Sequence, residues 1–305
     1  MRRTGLAEVL IVWGLYGAVA AATVVTYARV PPERLYHVDD TGLAGGLGRA
    51  LVFLNFPFAL AALAVLLIVL DVGSNRLLQA FAAASVVLCL VVAIPGVVDQ
   101  ADLDAKPVNA VPALGVALVL GLTLLAVARA GAGSLGRMRL DRLRLAAAAL
   151  LVAASTPWIL AELGVSVSDV PVLDAVFLGD EPSPEPGDPG LRAVHLGRHH
   201  GFDGTLFALA ALVLSRAVPV LHSARLRRAL ALAVAFLLAY GLLNAAQDFW
   251  LEQVVKRGWT DERLPSFLRP SLTPAWAVLL ASAAAVYWLG TRRLESTGDE
   301  AGDRA

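Results

Sequence analysis

The chain is poor in much of what a soluble protein of its size displays, since its 305 residues hold one cysteine, two lysines, two methionines and only 16 % charged side chains. Soluble domains average about a quarter charged residues, so a deficit of this size removes the water-exposed surface such a domain needs. A single thiol, Cys89, cannot close an internal disulfide, which excludes a stapled scaffold and leaves Cys89 as a small packing residue. No Walker loop, nucleophile elbow or His-Glu-x-x-His occurs, so neither ATP hydrolysis nor a zincin mechanism has support in the sequence.

What is present is apolar. The chain is 58 % hydrophobic with a mean hydropathy of +0.69, and the apolar residues gather into eight runs near 8–28, 51–71, 77–98, 110–130, 145–164, 204–221, 228–249 and 272–291. Roughly 20 apolar residues cross a bilayer as a helix. The expected fold is therefore an all-α polytopic membrane protein, a single integral domain over residues 1–305 built as a bundle of eight transmembrane helices. The first run follows Met-Arg-Arg and is too long for the apolar core of a signal peptide, so an uncleaved anchor is expected.

Basic residues set the orientation. With both termini placed in the cytoplasm, the inner loops and tails collect fifteen arginines, including Arg76, Arg137, Arg139, Arg142, Arg144, Arg216, Arg225 and Arg228, against seven acids, for a net +8. The outer side carries ten basic and eighteen acidic residues, for −8. The formal net charge of zero thus hides a sorting of charge across the membrane, as the positive-inside rule requires. The bias toward Ala, Gly, Leu, Val and Arg suggests a GC-rich bacterial genome, and hence the plasma membrane. The inner basic segments abut spans and alternate with leucines, which fits anionic lipid and not nucleic acid.

The expected outer loops, 29–50, 99–109, 165–203 and 250–271, are longer than the inner ones. Within the third, Asp180 to Gly190 holds four prolines, which deny both helix and sheet and mark a flexible acidic loop. Directly after it comes His195-Leu-Gly-Arg-His199-His200-Gly-Phe-Asp203-Gly, with three of the five histidines of the chain in six residues. On a helix, His195, His199 and Asp203 share one face with His200 about 100° away, a spacing that lets imidazoles and a carboxylate converge on a divalent metal such as zinc. The alternative is a polar, interfacial helix start. His37, next to Asp39 and Asp40, adds a second His and acid cluster on the same side. His199-His200 with His195 resembles one histidine box of the membrane di-iron desaturases, but that centre needs more histidines than this chain has.

Two spans carry polar residues at helical spacing. In the seventh, Tyr240, Asn244, Gln247, Asp248 and Glu252 form one stripe, and a carboxylate at the centre of a span costs about 2.5 to 3.5 kcal/mol on insertion scales, so the stripe should face protein or a hydrated cavity. In the fifth, Ser155, Trp158 and Glu162 share a face, while Pro157 should kink the helix and free a carbonyl for Ser155 or Thr156 to satisfy. Asn55 beside Pro57 in the second span makes a similar polar kink, as does Pro95-Gly96 ahead of Asp99.

These residues suggest an outward-facing polar cavity. The leading expectation is a metal-dependent hydrolase or transferase working on a lipid-linked or peptide substrate at the outer leaflet. In it, His195, His199, His200, Asp203 and His37 hold the metal, Glu162 or Asp248 acts as general base, and Asn55, Tyr240, Asn244 and Gln247 bind substrate. An ion- or proton-coupled transporter using Asp248 and Glu162 stays open as an alternative, as does a non-catalytic assembly or sensory component.

Overall fold

A computed structural model describes residues 4–29, 42–73, 75–98, 105–165, 170–178, 200–268, 270–292 and 294. Their regular structure is helical: α1 (Leu6–Arg29), α2 (Gly42–Val72), α3 (Arg76–Ala93), α4 (Pro107–Ala130), α5 (Asp141–Ala154), α6 (Thr156–Glu162), α7 (Pro171–Phe177), α8 (His200–Val220), α9 (Ala224–Val255) and α10 (Pro274–Gly290). Six of these, α1 to α4, α8 and α9, are long and apolar enough to cross a membrane. The pair α5 and α6 makes a seventh such unit if its 66° bend lies within one span. The shorter apolar α10 occupies the position of the eighth expected run.

Helix ends follow local chemistry. Asn75 caps α3 by accepting from the Leu78 amide at 2.9 Å, Ser223 caps α9 from the Leu226 amide, and Pro274 opens α10 where its missing N–H costs nothing. Inside α2, Pro57 lacks the donor for an α-helical bond, and the helix widens into a π-helical turn over Leu54–Phe58 while the Asn55 amide donates back to Leu51 O at 2.8 Å. The break between α5 and α6 has the same origin. Pro157 strands the Ala153 carbonyl, and the Thr156 hydroxyl supplies the missing donor at 2.8 Å.

Helices α2 and α9 both run longer than the apolar runs foretold. Nine residues from Gly42 precede the expected start of the second span, and this glycine-rich stretch packs so closely on α1 that a Cβ on Gly46 would collide with the Val24 carbonyl. Close approach replaces helix propensity there. At its far end, α9 passes through a π-helical turn to Val255.

Contacts between helix ends define two poles. At one, Arg216 from the end of α8 reaches Glu8 near the start of α1 at 3.1 Å and Asp141 at the start of α5 at 2.5 Å, and Arg144 joins Asp141 at 3.0 Å. At the same pole Asp71, ending α2, accepts from the amides of His222 and Ser223, both at 2.8 Å, just before α9 begins. At the other pole the end of α1 meets the end of α6, and the start of α8 meets the end of α9. Between the poles the interior is apolar, with Leu206, Phe207, Leu230 and Ile68 fully buried and Tyr240 set among the rings of Phe56, Phe207, Phe236 and Trp276.

The outward faces are apolar as well. Leu77, Val87, Leu114, Leu124, Leu145 and Leu150 are exposed, and α5 buries none of its residues completely. A water-exposed helix would not present that surface, so the fold is that of a helical, multi-pass membrane protein.

Candidate functional site

The pole opposite the Arg216 cluster gathers buried polar groups from four helices. Ser155, Trp158 and Glu162 do share a face, and each meets a neighbouring helix. Ser155 Oγ lies 2.5 Å from Thr205 Oγ1 of α8. Because the Thr205 hydroxyl donates to Gly201 O at 3.0 Å, Ser155 is the donor in that pair. Trp158 packs against Gly201, where a Cβ would run into its ring. Glu162, 2 % exposed, accepts from Thr23 of α1 through Oε1, and Thr26 donates to its backbone oxygen at 2.7 Å.

The stripe of α9 faces inward along its whole length, with Tyr240, Asn244, Gln247, Asp248 and Glu252 all buried. It turns toward α8 because Gly204 and Gly241 allow the two helices to touch at backbone distance. One turn further out, Asn244 Nδ2 donates to His200 O at 3.2 Å, while its Oδ1 has no hydrogen-bond partner among the described residues. Asp248, 4 % exposed, brings its carboxylate against Gly201, whose amide faces it. An acid placed at the first turn of α8 complements the unsatisfied amides and positive end of that helix. Its Oδ2 has no hydrogen-bond partner among the described residues.

Charge at this pole is predominantly acidic. Asp248 lies within electrostatic reach of both Asp203 and Glu252, opposed by Lys256, which pairs with Glu252 at 3.0 Å. The chain beyond α9 folds back over the pole, with the Trp250 indole donating to Glu262 O and the Arg257 guanidinium to Val176 O of α7.

The structure thus brings His200, Asn244, Asp248 and, through Gly201 and Trp158, the helix of Glu162 together at one end. It sets two other expected binding residues apart from that group. Tyr240 donates to Leu268 O at 3.1 Å from within the aromatic cluster, and Asn55 bonds within α2. Of the expected metal ligands, His37, His195 and His199 lie outside the described residues. Among the described residues no three His, Cys, Asp or Glu side chains are arranged to hold a metal ion.

Sequence reasoning passed over Thr23, Thr26, Thr205 and Arg49. Threonines in a span can bond their own helix, as Thr123 does with Val119 O at 2.8 Å, so nothing in their spacing announces an interhelical role. Arg49, buried in α2 with its guanidinium 5.4 Å from the Tyr27 ring, stood in what reads as loop. Arg49 lies one turn before Phe53, which stacks on Phe202 of α8 at 6.3 Å, a contact that no spacing in the sequence announces.

No protein-family model, curated protein or solved structure matches the chain, so its class rests on the fold and its chemistry on these residues.

Proposed function

We propose that the chain is an eight-span plasma-membrane protein, with both termini in the cytoplasm and a one-sided polar site at its outer pole that acts on a lipid-linked or peptide substrate. The observation that carries this reading is the seat of Asp248. A carboxylate with an unpartnered oxygen, held out of water, rests on the first turn of α8 where the histidine-rich segment ends. A buried carboxylate at a polar site is a group suited to general-base chemistry. The acidic balance of Asp203, Asp248 and Glu252 favours a cation there. A divalent metal, zinc by its preference for imidazole, would be held by His195, His199, His200 and Asp203 with His37, and would lower the pKa of bound water toward 7.

Asp248 is the general base in this scheme. Glu162 is a positioning residue, because its Oε1 is engaged by Thr23 and its backbone by Thr26. A one-sided site fits the fold better than a through-route, since the opposite pole is tied by the Arg216 ion pairs and the middle is packed with apolar side chains.

The test is elemental mass spectrometry of the purified protein beside a His195→Ala, His199→Ala, His200→Ala variant and an Asp248→Asn variant. Near-stoichiometric metal in the parent and in Asp248→Asn, with none in the triple variant, is expected. No metal in any of them after reconstitution with zinc, manganese or iron would remove the metal from the proposal.

A further inference from the structure

We propose that a groove between α2, α3 and α9 binds one anionic phospholipid, its acyl chain against the groove and its phosphate between Arg76 and Arg225. The groove has a volume of about 490 Å³ and its lining is apolar apart from Gln79, with Leu60, Leu63, Leu67, Val86 and Ala233 among the side chains that form it. That is the size and character of a site for one apolar ligand. Within a bilayer the ligand at hand is an acyl chain.

Charge at one end of the groove decides which lipid. Arg76 opens α3 two turns before Ala83 of the lining, and Arg225 lies three turns before Phe236 on the same face of α9. Asp71 brings the two together, because its carboxylate accepts from the Ser223 amide at 2.8 Å, five residues ahead of Arg76 and two ahead of Arg225. The same carboxylate also engages the amide and ring of His222, so it is committed to the turn, and among the described residues no acid is paired with either guanidinium. Both arginines are exposed. An apolar slot ending in two exposed arginines is complementary to a lipid whose headgroup is net negative, and less so to a zwitterionic one, because the choline attached to the same phosphodiester would meet the same positive charge. The inference stands apart from the reading of the outer pole.

Binding is tested on the full chain in detergent by native mass spectrometry, titrating dioleoyl phosphatidylglycerol and, separately, dioleoyl phosphatidylcholine. The expected result is one phosphatidylglycerol retained preferentially. Arg76→Gln with Arg225→Gln should weaken it about 30-fold, from roughly a single-charge contribution at each position, and weaken phosphatidylcholine distinctly less. Ala233→Trp, which fills the groove, should weaken both lipids. Arg137→Gln with Arg139→Gln removes the same charge elsewhere on the inner side and should leave the affinity within about twofold. Equal loss in that control pair, or an unchanged affinity in either groove variant, would overturn the proposal, and so would displacement of the lipid by excess glycerophosphate alone.

Discussion

Gly204 and Gly241 meet backbone to backbone, so that a Cβ on Gly204 would stand 2.5 Å from Gly241 O and 2.7 Å from Ala245 N. Without lipid-to-protein hydrophobic transfer to drive them together, helices in a membrane associate by packing of this kind. Ala208 and Ala245, each four residues on, continue the small-residue seam on both helices. This seam delivers Asn244 and Asp248 to the start of α8.

Gly241→Val should therefore separate α8 from α9. Overpacking a well-filled core costs about 1 to 3 kcal/mol, and the upper end applies because the obstacles here are backbone atoms. Gly121→Val in α4, where nothing lies within 4 Å of the added Cβ, is the control and should be nearly neutral beyond helix propensity. Denaturant-titrated unfolding in detergent compares the two. Equal losses would show that the crossing does not depend on its glycines.

The Arg216 cluster joins residues 208 positions apart in sequence. Arg216→Met leaves the Glu8 carboxylate buried without its guanidinium, and removing one member of a buried pair typically costs about 3 kcal/mol or more. Adding Glu8→Leu should restore a large part of that loss, since Asp141 keeps Arg144. A double variant no more stable than Arg216→Met, read by the same unfolding titration, would assign the effect to lost packing and not to charge.

Thr23→Val removes the donor to Glu162 at nearly constant volume. Hydrogen bonds contribute about 0.5 to 1.5 kcal/mol net in water-soluble proteins and average about 0.6 between membrane helices, so a loss near 1 kcal/mol is expected. Glu162→Gln keeps an acceptor oxygen for Thr23 and should cost less than Glu162→Leu. Thermal unfolding of the three variants orders them, and Glu162→Leu at or above parental stability would show that the contact contributes nothing.

How much of this was legible in the sequence depends on the range of the interaction. Helix positions were readable because a bilayer demands long apolar runs, and the break at Pro157 because the ring removes a donor whose loss the next hydroxyl must meet. The inward stripe of α9 was readable because carboxylates and amides at spacings of three and four cannot face lipid. The start of α2 was not, because its glycines look like loop until they are seen lying on α1. Nor were the partners of Glu8 and Glu162: an isolated Thr23 or Arg216 carries no mark of the residue it meets across the fold, and only the tertiary arrangement pairs them.

Orientation is open to a direct chemical check. The lone Cys89 packs against Gly115 and is buried, so a Cys89→Ala background leaves the chain without thiols at the cost of one small contact. A cysteine in place of the exposed Asp261 sits at the Asp248 pole, and one in place of the exposed Ser134 sits beside Gly136, whose carbonyl accepts from Arg216 at 2.7 Å at the opposite pole. In intact cells, a membrane-impermeant maleimide should label the cysteine at 261 and reach the one at 134 only after permeabilisation. Arginine-rich loops resist translocation, which is why the pole of Arg216, Arg225 and Arg76 is assigned inside. The reverse labelling pattern would place the Asp248 carboxylate on the cytoplasmic side, and the substrate would then have to be sought in the inner leaflet.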